Sequence, residues 1–141
     1  MEDLERARQR AELDKASARS GAVAAVLSAW LPLLDSFEAA VAAQAAAEAR
    51  AGPPPEGEAR IHAAYRALHI QLLEILKQQG VEVLGREQEG APFDPELHEA
   101  VMRRPPPPGA RDGAVLQVLR QGYRVGDRLV RAALVVVAQD E

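Results

Sequence analysis

The feature that most constrains the fold is a run of about 49 helix-forming residues at the start of the chain, interrupted by one glycine and one proline. Its composition is dominated by Ala, Glu, Arg and Leu, which are strong helix formers. One continuous helix of that length would span about 70 Å, because an α-helix rises ~1.5 Å per residue. Such a rod is too long to fold back on itself in a small globule, so a long helix with a partner helix is predicted.

The apolar pattern within this helix is weak in its first half and strong in its second. Heptad-spaced positions in the first half carry mostly small residues, with Gly21 among them, so this half is expected to melt easily. Large apolar residues then recur at steps of three and four and give a wide apolar face. Pro32 lies inside that face and removes one backbone hydrogen bond, so we expect a bend in a continuing helix. The face consists of Val23, Leu27, Trp30, Leu31, Leu34, Phe37 and Val41.

A loop rich in proline and glycine over residues 52–57 precedes a second helix at about residues 58–79, which Gly80 ends. Two helices joined by a short loop form an antiparallel hairpin. One hairpin has too little partner surface to cover two apolar stripes, so the pattern predicts a homodimer whose two hairpins form a four-helix bundle. The apolar face of the second helix consists of Ile61, Tyr65, Leu68, Leu72, Ile75 and Leu76. The residues predicted to pack the dimer include Leu27, Leu31, Leu34, Leu68 and Leu72.

The C-terminal third has the character of a small β module. Val81-Glu82-Val83 alternates, and residues 114–120 and 129–138 are rich in Val and Leu, a composition that favours strands. The sequence therefore predicts an α+β protein with two regions. These are a helical dimerisation region over residues 1–80 and a mainly β head over residues 81–141.

Composition excludes several classes of function. A net charge of −4 leaves no basic excess, so nucleic acid is not an expected partner. Cysteine is absent, which removes disulfides and thiolate metal sites. The longest apolar stretches, such as residues 21–34, are interrupted by Ser28 and Pro32 and fall short of the ~20 residues of a membrane span. The acidic N-terminus lacks the apolar core of a signal peptide, so a cytoplasmic protein without a membrane partner is expected.

The histidines do not predict a metal site. His62 and His69 are seven residues apart on the second helix and therefore about 10 Å apart along its axis, which is too far for one metal ion. His98 and the glutamate after it resemble the start of a zinc-protease motif, but Met102 stands where the second histidine belongs. We expect His98 to have a structural role in a turn that begins with Asp94 as N-cap.

The remaining polar residues form no catalytic pattern either. The glycines are not followed by the Lys-Ser or Lys-Thr of a phosphate-binding loop. The serines lie on the first helix, outside any strand-to-helix elbow. The helical carboxylates alternate with arginines, which is typical of solvated charge. We therefore expect a protein that is not an enzyme and needs no cofactor or metal.

Four arginines of the head are candidates for a protein interface: Arg120, Arg124, Arg128 and Arg131. On a strand, residues at even spacing share one face. Arginine is favoured at protein interfaces. A surface that only aids solubility is the alternative, and the residues alone leave both interpretations open.

Five segments carry a family pattern in a fixed order along the chain. They are Ala29–Phe37 in the long helix and, in the head, residues 80–83, 92–101, 115–123 and 126–138. The Phe-Asp-Pro-x-x-His-x-Ala run of the second head segment, followed by a Gly-Tyr pair, is highly specific. Together these segments resemble the GrpE family, the nucleotide exchange factors of the bacterial DnaK chaperone. The likeness covers about Arg8 to Ala138.

The resemblance implies both an architecture and an activity. It implies a long paired helix, a dimeric four-helix bundle and a β head that docks on the nucleotide-binding domain of a DnaK-type chaperone, opens the cleft and releases ADP. Matching contact positions are Leu119, Arg128 and Val137 in the head and Arg8 on the long helix. Ala64 matches a place where the family needs a small residue in the bundle, so its implied role is dimer packing.

Two other functions remain as alternatives to the exchange factor. One is a dimeric structural adaptor that binds the chaperone without exchange activity, and the other is an enzyme that uses His69 or His98. The family usually has a longer N-terminal helix and a disordered tail, whereas this sequence begins about thirty residues before Pro32. The resemblance therefore does not extend to contacts of a distal stalk with the chaperone's substrate-binding domain, or to thermosensing by that stalk.

Overall fold

The computed structural model describes residues 2–140, and within them two helices precede a β region. The first helix, α1, is Glu2–Ala51, and the second, α2, is Glu56–Gln78. The β region follows α2 without another long helix in the described part of the chain, so the predicted α+β class is confirmed.

By its contacts the chain divides into two compact units. One unit holds the described residues up to Ala29 together with those from Gly80 onward, and the other is Trp30–Gln79. The long helix α1 contributes to both. The functional division into residues 1–80 and 81–141 stays a prediction, because grouping by contacts does not test it.

α1 continues through Pro32, as predicted. Pro32 has no N–H to donate to the carbonyl one turn earlier. Nearby, the Ser28 hydroxyl donates to the Ala24 carbonyl at 2.9 Å and the Ser36 hydroxyl donates to the Pro32 carbonyl at 3.0 Å. Serine hydroxyls bound in this way accompany bends in helices. The helix ends at Ala51, where Gly52 adopts a φ of 79°, a value that favours glycine.

The unit Trp30–Gln79 is a helical hairpin in which histidines of α2 face glutamates of α1. His62 Nδ1 lies 3.3 Å from a Glu48 carboxylate oxygen, and His69 Nε2 contacts the Glu38 carboxylate. The His69 ring also stacks on Phe37, with 5.6 Å between ring centroids. Both histidines are therefore structural residues that join the two helices.

The apolar face predicted for α2 is mostly exposed in the single chain. Ile61 is 56% exposed, Tyr65 47%, Leu68 52% and Ile75 47%, because the histidine-bearing side of α2 meets α1 instead. Leu72 and Leu76 are only partly buried. The hairpin thus presents a row of large apolar side chains at helical spacing to its surroundings.

The strands of the β region are β1 Val81–Leu84, β2 His98–Arg104, β3 Val115–Arg120, β4 Gly122–Val125, β5 Arg128–Arg131 and β6 Ala133–Ala138. They form two three-stranded sheets. In one sheet β1, β4 and β5 pair antiparallel in that order, and in the other β6 lies between β2, to which it is parallel, and β3, to which it is antiparallel. One turn of 3-10 helix, Arg86–Gln88, follows β1.

The prediction of one strand over residues 129–138 is wrong, because the chain changes sheets at Ala132. β5 belongs to the first sheet and β6 to the second. Here the backbone of Gly122 lies very close to the backbone between β5 and β6, so that a Cβ on Gly122 would be 2.5 Å from the Ala133 nitrogen. The Val-rich composition is the same on both sides of the break, so the sequence pattern does not reveal it.

The core of the β region joins the two sheets. Leu84 of β1 packs with Val115, Ala133 and Val135 of the second sheet, and each of these four side chains is at most 1% exposed. Phe93, Leu97 and Val118 cover the edge of this cluster. Valine and leucine pack well between pleated surfaces, which is why these short strands form a stable module.

α1 also contains an 18-residue window that is apolar enough, by length and composition, to be a candidate membrane span. The expectation that no stretch of the sequence would qualify is therefore wrong. Helices that pack inside soluble proteins satisfy the same criterion, and the alanines of α1 contribute much of its apolar character. The absence of a membrane partner stays a prediction.

Candidate functional site

Two of the predicted contact residues of the head are exposed. Leu119 near the end of β3 is 49% exposed, and the edge position of β3 leaves one side of that strand open. Arg128 begins β5, pairs with Val125 across the turn and is also exposed. Both side chains are accessible, and arginine is enriched at protein interfaces. Contact of these two residues with a chaperone stays a prediction.

The turn between β4 and β5 lies against the long helix. The Arg128 guanidinium nitrogens are 3.4 Å from the point where a Cβ on Gly21 would stand. In the same turn, a Cβ on Gly126 would lie 3.6 Å from the Ser20 hydroxyl oxygen. Ser20 and Gly21 of α1 therefore form a shallow platform under the turn, and we call these two residues the helix platform.

The other arginines of the head have partners of their own. Arg124 Nε donates to Glu82 at 3.0 Å across the β1–β4 pair. Arg131 lies 5.4 Å from the Tyr123 ring centroid and its Nε donates to the Gln121 carbonyl at 2.9 Å. The four arginines do not share one strand face, because Arg120, Arg124 and Arg128 lie on three different strands.

The two remaining predicted contact residues have different surroundings. Val137 is only 7% exposed, on β6, where it pairs with Val115 and Arg103. Its side chain therefore offers little surface to a partner in the single chain. Arg8 lies on α1 and is exposed, as are all its neighbours on that part of the helix. Contact of either residue with a chaperone stays a prediction.

The residues predicted to pack the dimer divide into two groups. Leu27 and Leu34 of α1 are 5% and 4% exposed, so they are already buried within the single chain. Leu31 and Leu72 are partly buried, whereas Leu68 and Ala64 of α2 are exposed. The exposed side chains are those that a second copy could cover.

His98 has the structural role predicted for it. Asp94 caps the turn that precedes His98, because the Asp94 carboxylate accepts a hydrogen bond from the Glu96 N–H at 2.9 Å. The Asp94 N–H donates to His98 Nδ1 at 3.0 Å, so the imidazole is neutral and its Nε2–H donates to Gln88 at 2.8 Å. Burial lowers the pKa of His98, and the negative charge of Asp94 opposes this effect in part.

Within residues 2–140, no group of three or more His, Asp or Glu side chains could hold a metal ion. His62 and His69 each face one glutamate of α1, and His98 is bonded to a backbone N–H and an amide. Their arrangement serves the packing of the hairpin and the head.

Sequence reasoning missed the helix platform. The helical pattern marks Gly21 only as a weak point in the helix. The sequence assigns no role to Ser20 and marks Gly126 only as one of two glycines that bracket a turn. The signal that could have found them is the cost of Gly21, about 1 kcal/mol relative to alanine in a helix, together with two glycines bracketing the head turn.

The fold defines a class of α+β protein in which a helix of 50 residues and a second helix precede a small β module. A family model described as GrpE matches residues 1–139. The chain belongs to the GrpE family.

Curated relatives support the same assignment. The chain is 36% identical over 136 residues to Protein GrpE of Thermosynechococcus vestitus, with 96% of this chain and 50% of the relative covered. It is 34% identical to Protein GrpE of Trichodesmium erythraeum, with 96% and 52% covered. It is 38% identical over 141 residues to Protein GrpE of Synechococcus sp. strain CC9605, with 96% and 56% covered. The chain spans about half the length of the curated relatives it matches.

Proposed function

We propose that the chain is a co-chaperone that acts as an adenyl-nucleotide exchange factor and stimulates ADP release from a DnaK-type chaperone during protein folding and heat stress. The observation that carries this proposal is the family match over residues 1–139, which includes both α1 and the β head. A cytoplasmic location and the absence of catalytic chemistry belong to the same proposal.

The proposed mechanism is thermodynamic linkage. If the head binds the open nucleotide cleft of the chaperone more tightly than the closed cleft, it must weaken ADP by the same coupling free energy. Each tenfold loss of ADP affinity takes about 1.4 kcal/mol of differential binding. Leu119 and Arg128 are the exposed groups of the head that we expect to supply this energy. No covalent bond changes in either protein.

We also propose that the working form is a homodimer. The row of exposed apolar residues on α2, from Ile61 to Ile75, supports this proposal because it has helical spacing and lies beside the partly buried Leu72. A second hairpin would cover it and complete a four-helix bundle. Each large side chain removed from water would contribute about 1.5–3 kcal/mol.

Stopped-flow release of a fluorescent ADP from the cognate DnaK-type chaperone tests the exchange activity. We expect the wild-type chain to accelerate release and Arg128→Ala to lose most of the effect, while Arg60→Ala, at an arginine of α2 whose side chain is 81% exposed and pairs with Glu56, keeps it. A chaperone complex that forms without any change in ADP release would favour the structural adaptor. Absence of both binding and acceleration would refute the proposed function.

A further inference from the structure

The helix platform lies under the one head arginine that the proposed function uses. The Arg128 guanidinium lies beside Gly21. A Cβ built on Gly21 would stand 3.4–3.5 Å from the guanidinium atoms. Ser20 and Gly21 are both partly buried, although every described residue of the helix before them is exposed. These two residues are thus where α1 first loses exposure.

The helix surface beside Arg128 has no side chain at position 21. Glycine inside a helix destabilises it by about 1 kcal/mol relative to alanine. Its φ is not positive, so the backbone does not require glycine. A Cβ there would meet the Arg128 guanidinium at an ordinary contact distance, so alanine fits, whereas a longer side chain would extend into the space that the guanidinium occupies.

The turn that carries Arg128 also lies beside the other residue of the platform. Gly126 has a φ of +58°, and a Cβ on it would be in ordinary contact with the Ser20 hydroxyl at 3.6 Å. Arg128 is two residues further along, at the start of β5. Both the turn and the arginine side chain therefore lie against the helix platform.

We propose that Gly21 is a positioning residue for Arg128, which holds the guanidinium over the helix in the orientation that meets the chaperone. This inference rests on the proposed function. Arginine loses side-chain freedom when it binds, so fixing its orientation beforehand lowers the entropic cost of the complex. A larger residue at position 21 displaces the guanidinium and weakens chaperone binding without touching the chaperone.

The test compares Gly21→Leu with Gly57→Leu, a matched change at a helical glycine of α2 that has nothing within 4 Å of its added Cβ. We expect Gly21→Leu to raise the concentration for half-maximal ADP release about fivefold, the size of a coupling between groups in contact. Gly57→Leu should leave it unchanged. Gly21→Ala should restore nearly wild-type behaviour, because its Cβ fits at an ordinary contact distance.

A double-mutant cycle separates positioning from general destabilisation. In an Arg128→Ala background, Gly21→Leu should cause no further loss, because the group that it displaces is already absent. Effects that simply add would overturn the proposal. If Gly21→Leu lowers the helix content measured by circular dichroism, Gly21→Met carries the same cycle with a flexible side chain that also favours helix.

A spectroscopic measurement distinguishes failure of this inference from failure of the proposed function. The NMR signal of the Arg128 Nε–H, assigned by its loss in Arg128→Lys, should shift in Gly21→Leu and remain in place in Gly57→Leu. A signal that does not move refutes the positioning role even if ADP release is accelerated. A shifted signal in a chain that does not accelerate release supports the positioning role and refutes exchange activity.

Discussion

At the scale of single residues, His98 has a structural role that requires its imidazole to be neutral. Its Nδ1 accepts the Asp94 N–H, so protonation of that nitrogen would replace a hydrogen bond with a clash of two donors. Burial acts in the same direction and lowers the pKa of His98 below its ordinary 6.5. The ring therefore links the turn at Asp94 to Gln88 only in its neutral form.

This linkage predicts a pH dependence for the stability of the head. In the unfolded chain His98 takes up a proton near pH 6.5, whereas in the folded head its lowered pKa keeps it neutral to a lower pH. The contribution of neutral His98 to the free energy of unfolding is thus fully present above pH 6.5 and is lost as the pH falls through 6.5 toward the folded-state pKa. Urea unfolding across this range should show the loss in wild type and a smaller one in His98→Gln. Equal pH profiles would contradict the prediction.

Gly122 gives a second prediction at the residue scale. A Cβ there would meet the Ala133 nitrogen at 2.5 Å and the Arg131 carbonyl oxygen at 2.8 Å, and neither backbone atom can move without shifting a strand. We expect Gly122→Ala to lower the free energy of unfolding by about 1–3 kcal/mol. Gly57→Ala serves as the control and should be neutral or slightly stabilising, because it lies in open space within a helix.

At the scale of elements, the hairpin separates two kinds of contact on α2. One side carries His62 and His69 toward glutamates of α1, and the adjoining side presents Tyr65 and Leu68 to the surroundings. The helical period predicted the apolar row correctly. It did not predict that the histidine side would meet α1, because periodicity identifies a face and not the neighbour that covers it.

The exposed row predicts a specific effect on association. Leu68→Glu places a charge where a second hairpin would pack, so the dimer should dissociate at concentrations at which wild type is dimeric. Ile70→Glu is the matched control, because Ile70 is 66% exposed but lies about 200° around the helix from Leu68. Sedimentation equilibrium measures both. Identical masses for the two variants would contradict the proposed interface.

At the scale of the whole molecule, stability is distributed unevenly along α1. Every described residue from 2 to 19 is exposed, whereas Ala24, Leu27 and Leu34 are buried. A helical segment without tertiary contacts depends on its own propensity, which is marginal in water at this length. The early part of α1 and the head with its platform should therefore respond differently to heat.

We expect two thermal transitions. Far-ultraviolet circular dichroism should first lose part of its helical signal at low temperature, before near-ultraviolet signals from Tyr123 in the head change. Leu13→Ala, at a residue that is 71% exposed, should leave the second transition in place. A single cooperative melt seen by both probes would show that the early part of α1 is held by contacts absent from the single chain.

The sequence by itself determined the α+β class, the two helices and their loop, the capped turn at Asp94 and the family. The secondary structure follows from local propensities, and the family follows from the order of residues along the chain. No distant contact has to be known for either inference. Only the tertiary structure decided that residues 128–138 divide between two sheets, that Val137 is buried and that Arg128 lies on Gly21. Each of these depends on which distant segments share a small space, and no local period along a chain encodes that.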